Sequence, residues 1–90
     1  MNQQYVNVTI PVPEAILLSL RVKGDEFADQ MKVFTAMKLY EQEKLSIGQS
    51  AAFAGMDLLS FMKFLGQNKI SVFGTSEEIE EDYKNALAWS

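Results

Sequence analysis

The stretch from residue 46 to residue 68 constrains the fold more than any other part of the sequence. Ser46, followed three residues later by Gln49, has the spacing of a capping box, which predicts a helix start. The small-residue run that follows ends at Gly55, and Asp57 has the position of an N-cap for another helix. Two short helices joined by a tight turn are typical of a helix-turn-helix.

The residue types at three positions support this interpretation. Ala51 is small where the two helices would cross, and Gly55 favours the left-handed turn that follows. Phe61 supplies an apolar side chain that would hold the second helix against the first. A helical hairpin with no DNA-binding role could have the same spacing, so that alternative stays open.

The second helix has two chemically different faces at about 100° per residue. One carries the apolar residues Leu58, Phe61, Met62 and Leu65, whereas the opposite face carries Ser60, Lys63 and Gln67. In a DNA-reading helix these three polar side chains would meet the base edges, by hydrogen bonds from serine and glutamine and by lysine contact with guanine or phosphate. An ordinary solvated face is the alternative.

Lysines near this segment are candidates for phosphate contacts. Lys44 precedes the first helix, Lys63 lies within the second and Lys69 follows it. Two or three such contacts per chain give weak binding, because the salt-dependent part of the affinity scales with the number of neutralised phosphates. We therefore expect a homodimer, which presents two reading helices.

The remaining patterns predict a compact, mostly α fold with one or two short strands. Residues 5–10 alternate in the manner of a half-buried strand, which could pair with its copy in a dimer or with a second strand at 70–73. The periodicity predicts helices at 14–22, 26–44, 47–54 and from Asp57 to about residue 66. Thr75 and Glu78 form another capping box, opening a C-terminal helix.

The charge divides the chain into two parts. Residues 1–75 hold seven acidic and seven basic groups, so this single strand-plus-helical domain is neutral. Residues 76–90 form an acidic amphipathic tail that carries the whole net charge of −4. The neutral domain does not exclude DNA binding, but it limits its strength.

The tail has two interpretations. Ile79, Tyr83, Leu87 and Trp89 could bind a partner protein while the acidic residues face basic groups on it. Alternatively, the same apolar stripe could cover the chain's own core or a dimer mate.

Composition argues against an enzyme. The chain has neither cysteine nor histidine, which removes thiol nucleophiles, the commonest general base and the commonest zinc ligands. We therefore expect no catalytic residues, no metal and no cofactor. No segment approaches the roughly 20 apolar residues of a membrane span, and no signal segment is evident, so we expect a cytoplasmic protein without membrane contact.

The order of these motifs resembles a known family. The motifs that carry the resemblance lie between about residues 5 and 84: Val12-Pro13-Glu14, Met37-Lys38-Leu39-Tyr40-Glu41, Leu45 to Ala52 with Ala54-Gly55-Met56, Phe61 to Gly66, and Ile70-Ser71-Val72 followed by acidic residues. They are similar to a small, antitoxin-like uncharacterised protein family of the UPF type, whose genes often lie beside those of PIN-domain ribonuclease toxins.

The resemblance implies a helix-turn-helix regulator of its own toxin–antitoxin operon, with a tail that engages a PIN-domain toxin. The chain departs from the family pattern at Leu58 and Leu59, where members carry basic residues, and at Ser71, where proline is common. The first departure favours the alternative function, a protein–protein interaction module that uses the same hairpin without specific DNA binding.

Overall fold

Between residues 4 and 88 the protein folds as a succession of five helices. The computed structural model describes residues 4–88. The helices are α1 (Glu14–Leu20), α2 (Gly24–Glu41), α3 (Ile47–Ala54), α4 (Leu58–Gln67) and α5 (Ser76–Leu87).

The predicted helix starts in the second half of the chain are confirmed. Ser46 Oγ accepts a hydrogen bond from the Gln49 N–H at 3.1 Å, while the Gln49 side chain accepts one from the Ser46 N–H at 3.0 Å. Thr75 and Glu78 form the same reciprocal pair at the start of α5. Each cap satisfies backbone donors that have no partner within the helix, so these starts are specified locally.

The junction between α1 and α2 differs from the expectation. The first helix ends earlier, because Arg21 adopts a left-handed conformation with φ of 57°. Gly24 is the first residue of α2, and Lys23 is its N-cap. The Glu26 side chain accepts a hydrogen bond from the Lys23 N–H at 3.0 Å. The second helix ends at Glu41, three residues before the predicted end.

The prediction of one or two β-strands is wrong. Within residues 4–88 neither 5–10 nor 70–73 forms a strand, and the regular structure is helical throughout. Residues 4–10 are exposed and pair with no strand in the described part of the chain, because alternating apolar residues form a ladder only beside a neighbouring strand. In the second segment Ile70 and Val72 pack against the helical core, and the Ile70 N–H bonds to the Leu65 carbonyl at 2.9 Å.

Among residues 4–88, every buried residue of the hydrophobic core lies at or after Ala36. Helix α3 is its centre, since it packs extensively against α2 and α5 and less so against α4. The largest fully buried side chains are Phe61, Leu65 and Ser50. The core cluster consists of Ala36, Ile47, Ala51, Phe61, Leu65 and Ile79.

The N-terminal region, residues 4–35, contains no buried residue. Helix α1 makes no extensive contact with another helix. The radius of gyration is 14.4 Å, compared with about 12 Å for a compact chain of this length. Among the described helices none is both long and apolar enough to span a membrane.

Candidate nucleic-acid interface

The turn between α3 and α4 has the geometry that its sequence predicts. Gly55 adopts φ of 71°, where a side chain would be strained. The Gly55 N–H bonds to the Ala52 carbonyl and the Met56 N–H to the Ala51 carbonyl, both at 3.1 Å, which closes the end of α3. Phe61 is fully buried and belongs to the same core cluster as Ala51. Apolar contacts and backbone bonds therefore hold the two helices in a defined relation.

The two faces of α4 separate as predicted. Phe61 and Leu65 are fully buried, whereas Lys63 and Gln67 are exposed and Ser60 is half-buried. The exposed face therefore presents one cation and one amide to any ligand that approaches α4. Leu59, also on α4, is 63% exposed and adds an apolar group to the helix surface.

Ser60 is already engaged within the chain. Its N–H donates to Asp57 Oδ1 and its hydroxyl donates to Asp57 Oδ2, each at 2.9 Å. These bonds, with a smaller contribution from the charge of Lys63, hold the pKa of the Asp57 carboxyl below its ordinary value of 3.8. Asp57 is therefore ionised at neutral pH, and its negative charge lies at the start of the predicted reading helix. That charge opposes the approach of a phosphate.

Two of the predicted phosphate-binding lysines share a groove. Lys44 and Lys69 both line an open depression beside Ser46, at the start of α3. Glu41 and Glu43 line the same depression, so its charged side chains balance. Lys63 is not part of this lining. The five predicted DNA-contacting residues therefore lie on two surfaces, the exposed face of α4 and the groove.

The predicted partner-binding residues of the tail have different environments. Ile79 is buried in the chain's own core, and the Tyr83 hydroxyl donates to the Met56 carbonyl at 3.2 Å. Leu87 is 56% exposed. Trp89 lies outside the described residues. Of the three described residues, Leu87 is the one that a partner could reach without displacing α5.

Asp82 holds α5 against the start of α3. Its Oδ2 accepts a hydrogen bond from the N–H of Gly48, in the first turn of α3. A carboxylate is favourable at this position because the first turn of a helix has unsatisfied donors and a positive dipole end. Asp82 thus stabilises the packing of α5 on α3, although it lies in a run of acidic residues.

Sequence reasoning missed this role, yet a signal was present. Ile79, Asp82 and Ala86 are spaced three and four residues apart, so they share one face of α5. Ile79 and Ala86 are buried, and Asp82 is half-buried between them. An acid on the apolar face of a helix indicates a specific partner for that acid.

The chain is similar to known proteins along nearly its whole length. The sequence profile of the uncharacterised protein family UPF0175 matches residues 3–87. A UPF0175 protein from Aeropyrum pernix is 32% identical over 79 residues, which cover 88% of this chain and 84% of the relative. No solved structure matches.

Proposed function

The chain belongs to the uncharacterised protein family UPF0175, and we propose that it is an antitoxin-like transcriptional regulator that binds DNA as a homodimer. In this proposal α3 and α4 act as a helix-turn-helix, with α4 as the reading helix. The main support for this proposal is that Lys63 and Gln67 are exposed on the face of α4 opposite the buried Phe61 and Leu65. A polar face on a helix held rigidly from behind is what direct reading in the major groove needs.

The electrostatics support binding that is modest in strength. Lys63 acts beside the ionised Asp57, and Lys44 and Lys69 share their groove with two carboxylates. Few phosphates are therefore neutralised per chain, so the affinity of one chain is low and falls only gradually with salt. Two chains on one site double the number of neutralised phosphates.

A titration against the DNA upstream of the gene tests this function. We expect the wild-type chain to bind that DNA more tightly than a random duplex of equal length, at several salt concentrations. Lys63→Ala lowers the affinity and reduces the salt slope by about one for each phosphate that is no longer neutralised. Lys84→Ala is the matched control, because Lys84 is an exposed lysine on α5. Equal affinity for the upstream and random duplexes would overturn the DNA-reading role.

Base reading is separated from phosphate binding by a second variant. Gln67→Ala removes an amide that can hydrogen-bond to adenine. It should lower the preference for upstream DNA over random DNA and leave the salt slope unchanged. A Gln67→Ala chain with undiminished preference would show that Gln67 reads no base.

The antitoxin part of the proposal concerns α5. Its inner face is occupied by the core, so a PIN-domain toxin would meet its outer, acidic face and Leu87. Acidic groups there suit a nuclease surface that is basic for RNA binding. Co-purification with the neighbouring nuclease tests this, and Leu87→Glu should reduce the yield of the complex. A complex unaffected by Leu87→Glu and by Glu80→Lys would exclude the outer face of α5.

A second candidate function is a protein–protein interaction module built on the same helices. It is favoured by Leu59, which is 63% exposed on α4, and by the negative charge of Asp57 beside it. Leu59→Ala should then weaken capture of the partner protein, while Lys63→Ala leaves it unchanged. The opposite pattern, with DNA binding abolished only in Lys63→Ala, favours the regulator.

A further inference from the structure

The first apolar segment of the chain is exposed. Six side chains between residues 6 and 20 form what we term the N-terminal apolar surface, and each is at least 45% exposed: Val6, Val8, Ile10, Ile16, Leu18 and Leu20. Glu14 is the one charged residue in the whole interval from 4 to 20. Groups of exposed apolar side chains on soluble proteins often mark interaction sites.

The accessible area of the chain is larger than a compact monomer of its mass requires. It is 7064 Å², compared with about 5,300 Å² expected for a folded monomer of 10.1 kDa. The excess of about 1,800 Å² per chain is larger than the roughly 800 Å² that each partner contributes to a standard interface.

The core of the single chain is correspondingly small. Three of its seven buried apolar residues are alanines, and in the described part of the chain all seven lie at or after Ala36. Small domains with little buried apolar surface are commonly stabilised by oligomerisation. Residues 4–35 therefore form no buried core of their own.

We propose that a second copy of this chain covers the N-terminal apolar surface, so that residues 6–20 of two chains form the dimer interface. The low charge of the segment identifies the occupant, because homodimer interfaces are the most apolar class, whereas a charged partner such as a nuclease needs complementary charge. A two-fold dimer brings the same surface from both chains together.

This inference rests on the dimer in the proposed function and adds the surface that forms it. Its test contains no DNA, so a failure of DNA reading does not affect the result. In the same way, Lys63→Ala should leave the dimer intact.

The experiment is the molar mass of the full chain in solution, measured by sedimentation equilibrium. We expect about twice 10.1 kDa for the wild type, nearly unchanged at high salt because Glu14 is the one charged residue that each chain brings to the interface. Leu18→Glu and Val6→Asp should weaken dimerisation by more than about tenfold, because each places a charge in an apolar interface. The matched control is Leu59→Glu, since Leu59 is 63% and Leu18 69% exposed in the single chain.

Loss of the dimer can be distinguished from loss of the fold, even if a variant does not fold. If dimerisation is needed for folding, the wild-type melting temperature rises with protein concentration, which itself supports the proposal. A wild type of 10.1 kDa with a concentration-independent melting temperature would overturn it. Equal loss of the dimer in Leu59→Glu and Leu18→Glu would likewise overturn it, as would a complex seen only with another protein.

Discussion

The N-terminal region (residues 4–35) and the core region (residues 36–88) contain similar apolar side chains but use them differently. Ile16 and Leu20 of the first region are exposed, whereas Ile47 and Leu65 of the second are buried. In the core region, α3 packs against three neighbouring helices. In the N-terminal region, α1 makes no extensive contact with any other described helix. Apolar content therefore does not decide burial by itself, since a side chain also needs a second element to cover it.

The largest expected contrast between the regions is that between two phenylalanines. Phe61→Ala should lower the free energy of unfolding by about 3–5 kcal/mol, because the ring is fully buried and its removal leaves a cavity. Phe34→Ala should cost only about 1 kcal/mol, because that ring is 54% exposed and pairs with Phe64 at 6.0 Å between centroids. Urea unfolding at one protein concentration measures both. Equal losses would mean that the regions are packed alike.

The next contrast compares two glycines at helix starts. A methyl group at Gly48 would clash with the backbone carbonyl of Asp82, and backbone cannot rotate away as a side chain can. Gly48→Ala should therefore destabilise by about 1–3 kcal/mol. At Gly24 nothing lies within 4 Å of an added methyl, so Gly24→Ala should be neutral or stabilise by up to about 1 kcal/mol. Thermal unfolding of both variants tests this, and a stabilising Gly48→Ala would show that α5 does not approach α3 so closely.

A smaller contrast involves two acids. Asp82→Ala removes the acceptor for the Gly48 N–H and should cost about 1–2 kcal/mol. Asp82→Asn should recover most of this, because its amide oxygen accepts the same bond. Asp29, exposed on α2, is the control, and Asp29→Ala should change stability by less than about 0.5 kcal/mol. If Asp82→Ala were as mild as Asp29→Ala, the carboxylate would not be fastening α5 to α3.

The smallest expected effect is a pH dependence of the core region. Hydrogen bonds at the starts of α4 and α5 lower the pKa of Asp57 and of Glu78, whose ordinary values are 3.8 and 4.5. Because the folded pKa is the lower one, their stabilisation is full above these ordinary values and is lost as the pH falls through the folded pKa.

Melting curves recorded as the pH falls from about 6 to about 3 measure this dependence. Asp57→Asn keeps an N-cap of similar strength and removes one titrating group. It should therefore match the wild type at neutral pH and lose less stability in acid. A variant with the wild-type acid profile would assign the dependence to other carboxyls.

The predictable parts of the fold are those determined by neighbouring residues. The starts of α3, α4 and α5 follow from side chains that bond to backbone within three residues, as Ser46, Asp57 and Thr75 do. The buried and exposed faces of α4 follow from helical periodicity. The strands predicted at 5–10 and 70–73 do not form, because alternation produces a strand only when another strand lies alongside.

Some features of the candidate site are likewise predictable from the sequence, and others are not. The exposure of Lys63 and Gln67 followed from the sequence, but the engagement of Ser60 by Asp57 and the glutamates beside Lys44 did not. The bond between Ser60 and Asp57 depends on the rotamer of Ser60. The glutamates lie beside Lys44 because the end of α2 lies next to the segment that follows α4. The groove in particular joins segments that are not neighbours along one helix.

The sequence by itself determined the local structure of this protein: the order of the helices, the caps that begin three of them, and the left-handed turn at Gly55. Only the tertiary structure decided the role of the acidic tail. There Asp82 reaches Gly48 and Tyr83 reaches Met56, over separations of 34 and 27 residues. Contacts at such distances depend on how helices pack, and a helical pattern specifies which face is apolar but not which neighbour covers it.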